Sequence, residues 1–198
     1  RIEMNKKTAT MLINGNDILY GTQLHQYNQY ETFDGEGATE SSADDISFAV
    51  IDPDGVDSHL GFTEPTSPRV LARYECGAAT CSWVSSFSET SWHFNAVAGL
   101  IFGDLLDDQD AAVSSYEEQV KRSGYANEAR GYLYGTNGDQ YSYRSALQHV
   151  QFRNPKPVIV NLSEVLLDDE NCTGETITSQ FANDIYESGT LPIVAAGN

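Results

Sequence analysis

Residues 47–57 read Ser47-Phe48-Ala49-Val50-Ile51-Asp52-Pro53-Asp54-Gly55-Val56-Asp57, or SFAVIDPDGVD. The apolar residues run together and do not alternate with polar ones. A short continuous run of this kind predicts a strand over residues 46–51 that is covered on both faces. A strand covered on both faces belongs inside a parallel sheet, and this one delivers Asp52 at its end.

Working outward, the same grammar recurs. Strands are expected at 69–74, 130–134, 157–162 (PVIVNL within it) and 191–196. Helices are expected at 93–106, with apolar Val97, Leu100 and Ile101, and at 141–152 and 177–188. Strands alternating with helices predict an α/β fold, a mostly parallel sheet with helices on both faces. Residues 1–44 differ. They are polar, with His25-Gln26-Tyr27-Asn28-Gln29-Tyr30, and carry one expected strand at 9–20 before a break near Glu40.

Composition bounds the function. The chain has 198 residues, 40% of them hydrophobic, which is enough for one domain with a sizeable core. Its 29 acidic and 11 basic residues give a net charge of −18. Such a chain does not bind nucleic acid through a general positive field. The acidity reads first as a solvated surface. Calcium is the cofactor it would suit, through oxygen ligands in the runs 104–110 and 168–170, although neither has an EF-hand pattern. No apolar run reaches membrane-spanning length. The start at Arg1, with no signal peptide pattern, suggests a processed chain.

Cys76 and Cys81 flank Gly77-Ala78-Ala79-Thr80. A lone C-x4-C pair is poor evidence for zinc, which needs two more ligands. A small disulfide is the preferred reading and implies an oxidising compartment, hence a secreted or cell-surface protein. Cys172 is left over. The triplets Asn161-Leu162-Ser163 and Asn171-Cys172-Thr173 have the pattern of glycosylation acceptors.

In an open parallel sheet, function gathers at the carboxyl ends of the strands. Those ends deliver Asp52, Ser163, and Gly197-Asn198, while His93 falls in the first turn of a helix. An Asp, a His and an amide donor at one edge are most of an acyl-transfer site. His25, His59 and His149 read instead as structural or surface residues.

These motifs resemble those of the subtilisin-like serine proteases. AVIDPDGVD resembles the family's catalytic-Asp segment. HFNAVAG at 93–99 resembles its H-G-T-H-V-A-G. GYANEARGYLY at 124–134 resembles its G-V-A-P-x-A strand, VIVNLS at 158–163 its cleft strand, and VAAGN at 194–198 its oxyanion segment. The order Asp, His, Asn is the family's order, and the matches run from residue 46 to the end. The resemblance implies a serine endopeptidase acting on protein or peptide substrates. Asp52 would orient the base, His93 would be the base, and Asn198 would donate to the oxyanion, with Ser163 and Glu164 lining the substrate cleft. Residues 1–44 would be an N-terminal extension with the first strand. Residues 45–198 would be the N-terminal part of the catalytic domain.

The departures are specific. Pro53 and Asp54 stand where the family has one small hydroxyl residue, which leaves Asp54 as a rival to Asp52. Phe94, Asn95 and Ala96 replace Gly, Thr and His. Glu164 puts a charge beside the cleft. The family's nucleophile motif, G-T-S-x-A-x-P, does not occur. A separate or missing polypeptide would have to carry the serine. A non-catalytic subtilase-like scaffold is the competing reading. A nucleotide-binding domain is weaker, because no G-x-G-x-x-G follows a strand.

Overall fold

The computed structural model describes residues 46–56, 70–103, 124, 126, 129–163 and 177–195. The expected strand at 9–20, both acidic runs, Glu164, Cys172 and Asn198 lie outside the described residues.

Among the described residues are six strands and three helices. They are β1 (Ser47–Pro53), β2 (Val70–Cys76), β3 (Cys81–Val84), α1 (Trp92–Phe102), β4 (Arg130–Thr136), α2 (Gln140–Gln151), β5 (Ile159–Leu162), α3 (Ile177–Glu187) and β6 (Leu191–Val194). The strands form one sheet in the order β3-β2-β4-β1-β5-β6. β1 pairs parallel with β5 in the register Ile51↔Leu162, and β5 pairs parallel with β6. Asp54 N–H donates to Thr136 O across 2.9 Å, tying the carboxyl ends of β1 and β4 together.

The sheet is mixed but mostly parallel, in keeping with the expected α/β fold, and its antiparallel part is the β2–β3 hairpin. β2 and β3 are antiparallel, joined through a turn in which Gly77 N–H donates to Thr80 O at 3.0 Å. β3 has no counterpart in the sequence reading. Only Ala78 and Ala79 lie beyond that hydrogen-bonded pair, so Cys76 and Cys81 form the next, non-hydrogen-bonded pair, where opposed Cα atoms come closest. Their Cα atoms are 4.0 Å apart and the sulfurs are bonded, as the spacing predicted.

The chain divides into two compact units. One comprises residues 47–55, 72–91 and 131–198 and holds almost all of the sheet, with α2 and α3. The other comprises residues 1–46, 56–71 and 92–130 and holds α1.

The sheet unit is organised by β1. Ala49, Val50, Ile51 and Asp52 are fully buried, as the continuous apolar run demands. α2 packs against β1 and α3. Its buried Tyr143, Ala146, Leu147 and Val150 recur at the three- and four-residue spacing of a helix face. Full burial of a side chain such as Leu147 or Val150 contributes about 1.5–3 kcal/mol. Asp139 starts the helix as N-cap, its Oδ1 accepting the N–H groups of Tyr141 (2.8 Å) and Ser142 (2.9 Å).

β6 departs from the expectation of burial on both sides. Leu191 is 46% exposed, Ile193 46% and Val194 55%, because β6 is an outer strand of the sheet. Pro192 fits such a position. Leu191 and Ala195 turn their N–H groups toward β5, to Val158 O and Leu162 O, so the alternate residue Pro192 faces outward where no ladder donor is needed.

In the other unit, α1 buries Phe94, Asn95, Ala96, Ala98, Gly99 and Phe102. It starts at Trp92 and ends at Phe102, four residues short of the expected end.

Candidate functional site

The carboxyl edge of the sheet is built around the end of β1. Asp52 is buried with 0% exposure, and the next strand along, β5, ends at Leu162, so that Ser163 lies one step beyond the Ile51↔Leu162 pair. The structure therefore brings Asp52 and Ser163 to the same edge on neighbouring parallel strands. Asn161 Nδ2 donates to Ser163 Oγ at 2.6 Å, fixing that hydroxyl. The glycosylation-pattern triplet that begins at Asn161 therefore starts within β5, with the Asn161 amide engaged.

β4 supplies the other side of the edge. Thr136 Oγ1 donates to Asp52 O at 3.3 Å and accepts from Gly138 N–H at 3.4 Å. Asn137 N–H donates to Ser142 Oγ at 3.2 Å, tying the turn after β4 to the first turn of α2. The end of β1 is thus held by a threonine hydroxyl from one side and paired with β5 on the other.

Asp54 is a different kind of residue from Asp52. It is exposed, with φ at 59°, in the left-handed region that non-glycine residues enter at a cost. This turn relies on two glycines. A Cβ on Gly135 would lie 1.9 Å from Asp54 O, and one on Gly55 would lie 2.0 Å from the Phe87 ring. Both close approaches need the absence of a side chain.

Beside this edge lies a cavity of about 650 Å³, whose walls include Asp54, Glu75, Glu89, Thr136 and Asn137. Glu75 Oε1 accepts the Ser88 N–H at 2.5 Å, drawing the segment after β3 against β2. No basic side chain is among the described lining residues. No group of three or more His, Cys, Asp or Glu side chains that could hold a metal ion occurs among the described residues.

His93 belongs to the other unit. It is the second residue of α1, half-buried, with its ring edge-on to Trp92 at 5.7 Å. Phe94 beside it is fully buried.

Thr136, Asn137 and Gly135 escaped the sequence reading. Their signal was the stretch Gly135-Thr136-Asn137-Gly138-Asp139, a turn followed by a helix cap directly after a buried strand. No helix among the described residues is long and apolar enough to cross a membrane. No family model, curated protein or solved structure matches the chain.

Proposed function

We propose that this chain supplies part of the catalytic machinery of a subtilisin-type serine endopeptidase. The observation that supports this reading is the setting of Asp52, a fully buried carboxylate at the carboxyl end of an inner parallel strand, with Ser163 beside it. A triad carboxylate needs such shelter. It must hold the base in one tautomer and stabilise the imidazolium without taking the proton itself. His93 is the base in this reading and removes the proton from a serine hydroxyl. Asn198 donates to the oxyanion of the tetrahedral intermediate, where a single donor contributes about 10²–10³ in turnover. That last magnitude, like the tautomer argument, comes from serine proteases, subtilisin among them.

The serine itself has to come from another segment or polypeptide, because G-T-S-x-A-x-P is absent from these residues. The Cys76–Cys81 disulfide supports an oxidising, extracellular setting. Calcium is an optional structural ion in this reading, outside the described residues.

A second reading, a non-catalytic scaffold, is favoured by the residues around His93. The family's small Gly is here Phe94, and Asn95 and Ala96 replace Thr and His. A fluorophosphonate probe applied to the native assembly separates the two. The enzyme reading expects a labelled polypeptide carrying a serine, with labelling abolished by His93→Ala. An intact, folded assembly that neither labels nor cleaves denatured protein sinks it.

A further inference from the structure

The opposite kind of polar cluster sits under the end of α2. His149, in the last turn of α2, places Nδ1 3.2 Å from the hydroxyl of Tyr134 on β4. Its ring packs against Tyr74 of β2, with centroids 4.5 Å apart, and Tyr74 stacks on Tyr134 at 5.0 Å. Arg153, just past α2, donates from Nη1 to the Tyr74 hydroxyl, and its guanidinium lies 5.1 Å from the Tyr74 ring centre. All four residues belong to the sheet unit.

We propose that His149 is an acid-sensitive latch, holding the last turn of α2 on the β2–β4 face while its ring is neutral and releasing that turn when the ring takes up a proton.

The geometry makes the neutral ring the fitting one. Tyr134 has no exposed surface, and burial pushes its phenol well above the ordinary range, so its O–H stays protonated. A neutral imidazole accepts that O–H at Nδ1 and carries its own hydrogen on Nε2. A protonated imidazole carries hydrogens on both nitrogens. The Nδ1–H then faces the Tyr134 oxygen, and the tyrosine hydrogen must turn away into the core. A buried hydroxyl that loses its partner costs about 1–3 kcal/mol. The new cation would also compete with Arg153 for the face of Tyr74.

The groups facing His149 are Tyr74 from β2, Tyr134 from β4 and Arg153 from the segment after the helix. Tyr132, also on β4, turns its hydroxyl to Pro155 O at 3.2 Å. Arg153 is the charged side chain acting on His149, and no carboxylate among the described residues offsets it. Burial first, and Arg153 second, hold the imidazole below its ordinary value of 6.5.

The sign follows. The unfolded chain accepts a proton on His149 near pH 6.5, while the folded chain resists it to lower pH. The contribution of His149 to stability is therefore complete above pH 6.5 and declines as pH falls through 6.5 toward the folded value.

Thermal and denaturant unfolding of the full chain between pH 8 and pH 5, compared with His149→Gln, tests the latch. The many carboxylates affect both proteins alike. The wild type is expected to lose folding equilibrium faster with acid, by an additional factor approaching but not exceeding tenfold per pH unit, the limit for one proton. Imidazole NMR should give His149 a midpoint below the ordinary value, with the amide signals of the last turn of α2 broadening as it titrates. In Arg153→Gln, that midpoint should rise, which keeps the idea testable if His149→Gln does not fold. Parallel pH profiles for wild type and His149→Gln overturn it, as does a His149 midpoint at or above that of a free imidazole.

Discussion

The sheet unit has two polar regions that solve opposite problems. At the carboxyl edge, Asp52, Asp54, Thr136 and Ser163 are gathered at strand ends beside a cavity of about 650 Å³. Under α2, the side chains of Tyr74, Tyr134, His149 and Arg153 stack on and hydrogen-bond one another, with the buried Arg153 Nε lacking a hydrogen-bond partner among the described residues. The edge is held by backbone groups and glycines, with the Thr136 and Ser163 hydroxyls bonded beside them, and it opens onto the cavity. The cluster is held by the side chains themselves, which leaves little over. Groups that do chemistry on a ligand belong in the first arrangement, and groups that hold a fold belong in the second.

The largest test of that contrast is at the edge. Asp52→Asn keeps the shape but withdraws the charge and the acceptor that would fix the base. Under the proposed protease reading, it is expected to lower kcat of the complete assembly about 10⁴-fold, the scale of the corresponding change in a serine protease triad. Asp54→Asn is the control. Asn tolerates the left-handed backbone at 59° as well as Asp does, so the fold is kept, and kcat should change by less than about tenfold. Peptide-hydrolysis kinetics on both variants decide between the carboxylates. A larger loss at Asp54 reverses the assignment and makes the buried carboxylate the structural one.

Gly135→Ala attacks the backbone support of the edge. The added methyl carbon would sit 1.9 Å from Asp54 O, far inside contact distance, and the neighbour is backbone, which cannot rotate away. Overpacking of this kind costs about 3 kcal/mol, read as a shifted midpoint in urea unfolding. If the edge is the functional region, activity should fall further than the folded fraction does, because Asp52 and Thr136 move with the strand ends.

How far the sequence foretold these regions follows from the same contrast. β1 was legible because burial on both faces forces a continuous apolar run, and Asp52 was legible because it ends that run. β6 has an equally apolar sequence, yet three of its four residues are exposed, since composition does not report whether a further layer covers a strand. β3 was missed because Cys81-Ser82-Trp83-Val84 is short and carries no periodicity. Its signal was the pair of cysteines, read as a staple and not as the end of a hairpin. The sequence leaves His149 as a structural or surface residue, and its partners lie 15 and 75 residues away in the chain at Tyr134 and Tyr74. Nothing local announces a contact of that kind. Asp52 and His93 fall in different compact units.

The smallest effect expected is the most informative about the closed cluster. Tyr134→Phe keeps the ring stacked on Tyr74 and removes only the hydroxyl that meets Nδ1 of His149. The loss should be about 1 kcal/mol at pH 8, the net worth of one buried hydrogen bond. At pH 5 the loss should shrink, because the phenol hydrogen that a protonated His149 would displace into the core is no longer there. Combined with His149→Gln, the two changes should be less than additive at pH 8, since each removes the same bond. Full additivity at pH 8 would mean that the two rings are merely packed together. In that case their hydrogen bond plays no part in holding α2.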